Sequence, residues 1–301
     1  MTSTCGGLEG DSFGYINVQA IDSGAYEDFG GENQWIISPL IYSYTIESLK
    51  ANHVVLQRTL RMADANGVPA DFHLTRSISL LSRHQAGEIF GDAVAHVLNM
   101  SEVSNVGYCT VDTVRTHERT HVASRRRGMF NASPHSVVIV SEPPSSFMPE
   151  PFVVDVDYLD GAPHGRIRHL GKTLLIRADG QGKCQVTMPL ASAPSILGAI
   201  ELRSGTLTLW MFDVPDEFKE NDLIRIYNPG QPLSKALDWA VYYEMNCFST
   251  TRALQPEHTL ASRFWTCHLN ADNTILTEVI REIFDVSLDE LFRKMLLYGS
   301  G

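Results

Sequence analysis

The sequence predicts an α+β protein in which helical segments at both ends form one discontinuous domain, with an antiparallel, jelly-roll-like β-sandwich inserted between them. Residues 134–229 are a succession of short β-type runs separated by Gly and Pro. In both flanks, apolar side chains recur near helical spacing. Strands and helices do not alternate, which disfavours a parallel doubly wound sheet. The predicted parts are an extended arm, the first half of a helical base, the inserted sandwich and the second half of the base: 1–35, 36–133, 134–229 and 230–301.

The first flank accounts for two of the predicted helices. Apolar side chains at helical spacing follow Pro39, which suits a first helical turn, and Asn66-Gly67 ends the run. A second helix is predicted over about 75–100, with Thr75 or Ser77 as its cap. Between this helix and the central block, alternating and β-branched residues predict a strand over 103–114.

The central block contains seven predicted strands separated by Gly-, Asp- and Pro-rich turns. Many short strands at this spacing are typical of a sandwich or jelly roll. The predicted strands are Ser136–Ser141, Phe152–Leu159, Thr173–Ala178, Lys183–Met188, Ile196–Arg203, Thr206–Phe212 and Leu223–Tyr227.

The second flank returns to helical patterns after Pro232. Polar residues that favour helix N-termini stand before each pattern. With Ser234, Asn273 and Ser287 as caps, the predicted helices cover about 235–248, 274–284 and 288–298.

The composition is that of an acidic globular protein. Hydrophobic residues make up 44% of the 301, and the formal net charge is −11. Seven acidic residues precede Lys50, the first basic one, so we expect no direct contact with nucleic acid. The N-terminal residues lack the pattern of a secretory signal, and no apolar run approaches the ~18 residues of a membrane span. Five scattered cysteines without a CxxC pair indicate a reducing compartment and no cysteine zinc site.

One motif carries a specific chemistry. His117-Glu118-Arg119-Thr120-His121 satisfies HExxH, which on a helix places two zinc-binding histidines on one face with the glutamate as general base. The surroundings disfavour this function, because no apolar helical pattern encloses the motif and a charged arginine lies within it. A solvated polar segment is the competing interpretation. We therefore expect no catalytic residue, metal or cofactor, and keep a zinc-dependent hydrolase, with Glu118 catalytic and His117 and His121 as ligands, as an alternative function.

The segment order resembles that of the outer-shell capsid proteins of double-stranded RNA viruses, in which N- and C-terminal helices form a base and a jelly roll projects outward. The resemblance implies a structural, non-enzymatic protein that self-assembles, as a trimer, on an inner-shell protein. It also implies location in a virion that is assembled in the host cytoplasm. A non-viral β-sandwich protein that binds a ligand or peptide is a further alternative. Predicted subunit contacts are aromatic residues of the arm and a basic run: Tyr15, Tyr26, Trp35, Arg125, Arg126 and Arg127.

Overall fold

Two antiparallel sheets and a small helical layer make up the part of the chain that the computed structural model describes. Within the described residues, no helix is long and apolar enough to cross a membrane. The described residues are 14–16, 45–63, 69–131, 133, 135–141, 155–157, 166–179, 184–189, 194, 196–213, 223–228 and 242–297.

The strands are numbered β1 to β16 in chain order. Their bounds are β1 Gly14–Ile16, β2 Thr45–Lys50, β3 His53–Ala63, β4 Pro69–Leu81, β5 Ser104–Thr116, β6 Thr120–Asn131, β7 Ser136–Ser141, β8 Asp155–Asp157, β9 Ile167–Leu170, β10 Thr173–Arg177, β11 Cys184–Pro189, β12 Ile196–Glu201, β13 Thr206–Phe212, β14 Leu223–Asn228, β15 Tyr242–Leu254 and β16 Thr259–Asn270.

The ten-stranded sheet has the order β2-β3-β4-β5-β16-β13-β12-β7-β10-β9, and the six-stranded sheet the order β1-β6-β15-β14-β11-β8. Every described strand pair is antiparallel. In the larger sheet β5 pairs with β16, although the two strands are far apart in the sequence.

Four short helices pack on the outer face of the ten-stranded sheet. The first begins at a capping box, in which Ser82 and Gln85 satisfy each other's backbone N–H groups. Asp272 caps the third and Ser287 the fourth. The bounds are α1 Arg83–Phe90, α2 Asp92–Leu98, α3 Asn273–Phe284 and α4 Leu288–Phe292, followed by a π-helical turn at Arg293–Leu297.

A first apolar core lies between these helices and the ten-stranded sheet. It joins residues of all four helices to Ile139, Leu209 and Leu269 of three different strands. The helix α3 crosses β12 at Gly198, where the ring of Phe284 occupies the space that a side chain would need. This close approach lets the helix lie against the sheet, and Phe284 is fully buried there.

A second apolar core lies between the two sheets. Side chains at alternate positions of each strand enter it, as the pleat of a β-strand requires. The six-stranded sheet contributes the following side chains: Phe130, Val186, Met188, Ile224, Ile226, Tyr243, Met245 and Cys247. Trp210 and Phe264 are the largest contributions from the ten-stranded sheet. The described chain is thus a three-layer structure of helices, large sheet and small sheet.

This architecture corrects the predicted fold class. There is no helical domain with an inserted jelly roll, because long strands from both flanks share the two sheets with the central block. The first predicted helix is β2 and β3, the second is β4 followed by α1 and α2, and 242–248 of the third is the start of β15. The four-part division of the chain stays a prediction, although strands of the proposed base and insertion are neighbours in both sheets.

Candidate functional site

The HExxH motif does not lie on a helix. His117 and Glu118 follow the end of β5, and His121 belongs to β6, so the motif spans the connection from the ten-stranded sheet to the six-stranded sheet. The Thr116 hydroxyl donates a 2.8 Å hydrogen bond to Glu118. This bond is the main reason that the pKa of Glu118 is lowered, which makes the carboxylate a weaker base. The zinc-hydrolase alternative therefore loses the helical spacing on which it depended.

Instead of pairing with His121, His117 forms a cluster with residues of β3, β4 and β5 and of the turn before β16. We call His73, His117 and Glu257, with Thr59 and Arg115 beside them, the histidine cluster. The Nε2 atoms of His73 and His117 are 3.1 Å apart. His117 Nδ1 contacts the Glu257 carboxylate, and His73 Nδ1 lies 3.1 Å from the Thr59 hydroxyl.

The histidine cluster lies at the surface, and its carboxylate, Glu257, has the cationic Arg115 beside it. Arg115 lies 3.6 Å from Glu257, and their side chains are 48% and 57% exposed. The hydrogen bond with His117 is the largest cause that lowers the pKa of Glu257, so the carboxylate stays ionised. The described residues contain no group of three or more His, Cys, Asp and Glu side chains arranged to hold a metal.

A second cluster lies on the six-stranded sheet. Because Ile226, Tyr243 and Met245 point into the core between the sheets, their neighbours along the same strands point to the opposite face. We call the described polar side chains of this opposite face the polar face; they are Thr187, Arg225, Tyr227, Glu244 and Asn246.

Three members of the polar face form a straight row across the sheet. Thr187 of β11 is opposite Arg225 of β14, and Arg225 is opposite Asn246 of β15. Tyr227 is opposite Glu244 in the next row. Arg225 and Glu244 are therefore diagonal neighbours of opposite charge, within reach of each other for long side chains.

The burial of the polar face is unusual for a sheet surface. The outer face of an antiparallel sheet normally meets water. Here Glu244 and Asn246 are 0% exposed, and Thr187 and Arg225 are each 8% exposed. The Asn246 amide donates a 3.0 Å hydrogen bond to Glu244.

Two buried oxygen atoms on the polar face have no hydrogen-bond partner among the residues that the structure describes. The Thr187 hydroxyl and the Asn246 side-chain carbonyl make no hydrogen bond within the described part of the chain. Leaving such a buried group unsatisfied costs about 1–3 kcal/mol. The two oxygens flank Arg225 in the same row, so both are placed to bind one small polar molecule.

The remaining predicted site residues are not brought together. Tyr15 lies in β1, which pairs with β6 so that Gly14 is opposite Arg125. The basic run Arg125, Arg126 and Arg127 lies within β6. Tyr26 and Trp35 fall outside the described residues. Self-association and the predicted subunit contacts stay predictions.

Sequence reasoning missed the whole polar face. The prediction of a helix over 235–248 hid the alternation in which Tyr243, Met245 and Cys247 are apolar while Glu244 and Asn246 are polar. That period of two was the available signal for a strand with one polar face. The contact of His73 with His117 had no sequence signal, since they are 44 positions apart and meet only because β4 pairs with β5, where His73 is opposite Arg115.

A family model described as a family of unknown function, DUF6786, matches residues 40–295. No curated protein is similar enough in sequence to match.

Solved structures resemble the chain at low identity. A protein of Escherichia coli K12, provisionally assigned as an aldose 1-epimerase, has a TM-score of 0.48 and 10% identity, over 81% of this chain and 74% of that one. A galactose mutarotase-like protein of Lactobacillus casei has a TM-score of 0.46 and 10% identity, over 75% and 73%. The aldose epimerase homologue of C. elegans has a TM-score of 0.43 and 11% identity, over 81% and 72%.

These findings correct the capsid prediction. The resemblance to double-stranded RNA virus shell proteins depended on helical flanks, but both flanks contribute long strands to the two sheets. The three similar structures come from cellular organisms and are described as epimerase or mutarotase-like proteins. The predictions that followed from the capsid resemblance are therefore wrong: outer-capsid subunit, non-enzymatic protein and location in a virion. At these TM-scores the likeness carries no argument about which reaction the chain performs.

Proposed function

The chain belongs to the DUF6786 family of unknown function, and on that premise we propose that the polar face of its six-stranded sheet binds a carbohydrate. The observation that carries the proposal is the pair of buried, unsatisfied oxygens of Thr187 and Asn246 on either side of Arg225. A ligand that donates hydrogen bonds to both oxygens removes a cost of about 1–3 kcal/mol for each.

The mixture of donors and acceptors on this face suits hydroxyl groups. Arg225 only donates hydrogen bonds, and the Glu244 carboxylate only accepts them. Thr187 and Asn246 can both donate and accept hydrogen bonds. Each sugar hydroxyl donates one hydrogen bond and accepts others, so a polyol can donate to the Thr187 and the Asn246 oxygen together. A carboxylate or a fully ionised phosphate monoester has no proton to give to the Thr187 and Asn246 oxygens, and the Glu244 charge would repel it.

Tyr227 adds an apolar surface to this set. It is only half-buried, and it lies opposite Glu244, in the row next to that of Thr187, Arg225 and Asn246. A binding site for a small molecule combines a few placed polar groups with aromatic surface. The phenol ring is placed to cover the C–H side of a sugar while the row binds its hydroxyls.

Binding can be tested by titrating the protein with free aldoses under isothermal calorimetry and by saturation-transfer NMR. The aldoses named in the descriptions of the similar structures supply the first compounds. Thr187→Val removes the hydroxyl at nearly constant shape, and loss of one hydrogen bond of about 1.4 kcal/mol lowers affinity about tenfold. Asn246→Leu should have at least the same effect.

Thr208→Val is the matched control. Thr208 is a buried threonine of the ten-stranded sheet whose hydroxyl is 2.9 Å from His268 Nδ1, so its loss should lower stability without changing sugar affinity. Equal losses of affinity in Thr187→Val and Thr208→Val would contradict the proposal. Absence of binding to every aldose and methyl glycoside tested at millimolar concentration would also contradict it.

Anomer interconversion is the first activity to measure on this site, because it needs only a bound aldose and groups that move its protons. The reaction needs a base for the anomeric hydroxyl, and Glu244 is the carboxylate of the polar face. Polarimetry on freshly dissolved α-anomers should show catalysis that Glu244→Gln abolishes while sugar binding persists. Full retention of the rate in Glu244→Gln would exclude Glu244 as the base.

A further inference from the structure

The histidine cluster, which lies apart from the polar face on the ten-stranded sheet, has the geometry of a metal site. We propose that His73 and His117 bind one divalent transition-metal ion of the Zn²⁺, Cu²⁺ or Ni²⁺ class through their Nε2 atoms. Imidazole nitrogen is a preferred ligand of all three ions. This proposal is independent of the carbohydrate site.

The separation of the two nitrogens fits a shared ion. Their Nε2 atoms are 3.1 Å apart, and the rings meet nearly edge to face, with an interplanar angle of 77°. Metal–nitrogen bonds of about 2.0–2.1 Å place two ligands about 3.3–3.4 Å apart in a tetrahedral site and about 2.8–3.0 Å apart in a square-planar one. The observed distance lies between these values, so a shift of about 0.3 Å or less completes either geometry.

The other nitrogen of each ring, Nδ1, already has a hydrogen-bond partner. His117 Nδ1 contacts the Glu257 carboxylate, which can only accept, so Nδ1 bears the proton and Nε2 presents a lone pair. His73 Nδ1 is 3.1 Å from the Thr59 hydroxyl, which can accept a hydrogen bond from that ring as readily as it can donate one. Metal-bound histidines almost always donate their second N–H to a carboxylate, carbonyl or water. Both histidines therefore have their outer partners in place.

The position of the pair leaves room for further ligands. The His117 side chain is 51% exposed, and Glu257 is 57% exposed. Among the residues that the structure describes, no third His, Cys, Asp or Glu completes the group, so water would fill the remaining positions. Such an open site holds an exchangeable ion, unlike a closed structural zinc site with four protein ligands.

The competing explanation is a direct hydrogen bond between the rings. If the Thr59 hydroxyl donates to His73 Nδ1, then His73 Nε2–H can donate to His117 Nε2 and all partners are satisfied without metal. The two explanations differ in one respect. In the metal site neither Nε2 atom bears a proton, because both lone pairs bind the ion. In the hydrogen-bonded pair one Nε2 atom keeps its proton.

The test is equilibrium dialysis of tag-free protein against Zn²⁺ at pH 7.5, together with electron paramagnetic resonance after addition of one equivalent of Cu²⁺. We expect one ion per chain and a copper spectrum with splitting from two nitrogens. His73→Gln and His117→Gln should each weaken binding at least tenfold and reduce the copper spectrum to one nitrogen. Glu257→Gln should weaken it about 10- to 100-fold, because that partner orients His117.

His84→Gln is the matched control. His84 is an exposed histidine 3.3 Å from Glu88, so it has a carboxylate neighbour but no second imidazole. Binding that His84→Gln leaves unchanged and both cluster variants lose supports the proposal. Equal binding in wild type and His73→Gln, or loss in His121→Gln without loss in His73→Gln, would overturn it. Circular dichroism of each variant separates loss of metal from loss of fold.

Discussion

A single methyl group added at Gly198 should disturb the packing of α3 on the large sheet. A Cβ atom built there lies 2.4 and 2.7 Å from two carbons of the Phe284 ring. Carbon atoms in comfortable contact are about 3.5–4.0 Å apart, so the ring must move by about 1 Å. Phe284 is fully buried and has no space to move into. Overpacking of this kind costs about 1–3 kcal/mol, and we expect Gly198→Ala to lie at the upper end.

The measurement is urea-induced unfolding followed by tryptophan fluorescence and far-ultraviolet circular dichroism, with the midpoint compared at constant m-value. Gly107→Ala is the matched control, since Gly107 is also buried in a strand but its added Cβ would meet Leu81 at an ordinary 3.4 Å. That control should change the free energy of unfolding by less than about 1 kcal/mol, which is within the range of β-propensity.

A double-mutant cycle makes the cause explicit. Phe284→Ala alone should cost about 3–5 kcal/mol, the usual loss for a buried ring. In that background the clash is gone, so Gly198→Ala should cost close to nothing and the coupling energy should be about 1–3 kcal/mol. The reasoning is refuted if Gly198→Ala is as mild as Gly107→Ala, or if its cost persists undiminished when Phe284 is alanine.

Three further outcomes are expected. Asp179→Ala should lower the free energy of unfolding by about 3–5 kcal/mol in urea titrations, because the buried guanidinium of Arg166 loses its counterion. Burial acts to raise the pKa of Glu201, but hydrogen bonds from Ser133 and the Ser204 region outweigh it and the pKa is lowered. The stability from this carboxylate is therefore present above its ordinary pKa of 4.5 and lost as the pH falls through the lower folded value, so Glu201→Gln should flatten the acid limb of a stability–pH curve. Burial raises the pKa of the Cys267 thiol to about 12, so mass spectrometry after treatment with iodoacetamide at pH 8 should find it unmodified in native protein and modified in urea.

The central strands could be predicted from the sequence because each is a short apolar run between turn residues. Ser136–Ser141 and Thr206–Phe212 have the predicted bounds, and those predictions are confirmed. The helix at Asn273–Phe284 and the cap at Ser287 are also confirmed, although Asp272 rather than Asn273 caps the former. In these segments the local pattern and the tertiary environment agree.

Strands in the flanks were predicted as helices because the spacing of their apolar residues fits both structures. Val54, Leu56, Leu60 and Met62 have separations of two and four residues, and a separation of four places side chains on one face of a helix and of a strand alike. This segment forms the strand β3 because it pairs with β2 on one side and with β4 on the other. Every residue from His53 to Ala63 has a partner in β4. Local spacing alone contains no information about those partners.

The two candidate sites were hidden by the same limit. Thr187, Arg225 and Asn246 come from three strands, and only the register of the sheet aligns them in one row. The HExxH motif drew attention to His117, but its spacing rule assumes a helix, and the motif lies on the connection from β5 to β6 instead. The register of β4 and β5 pairs His73 with Arg115, and His117 follows two residues later, so the two histidines become neighbours only through the sheet.

The pairing of β5 with β16 has a consequence for the synthesis of the chain. Each partner pair in this ladder, from Arg115–Thr259 to Ser104–Asn270, joins residues more than 140 positions apart. At about 5–20 residues per second, a ribosome delivers β16 roughly 7–30 s after β5. During that interval the β2–β5 meander presents an unpaired strand edge to the cell, the kind of surface that seeds aggregation. Chaperone dependence should therefore fall sharply once translation passes residue 270.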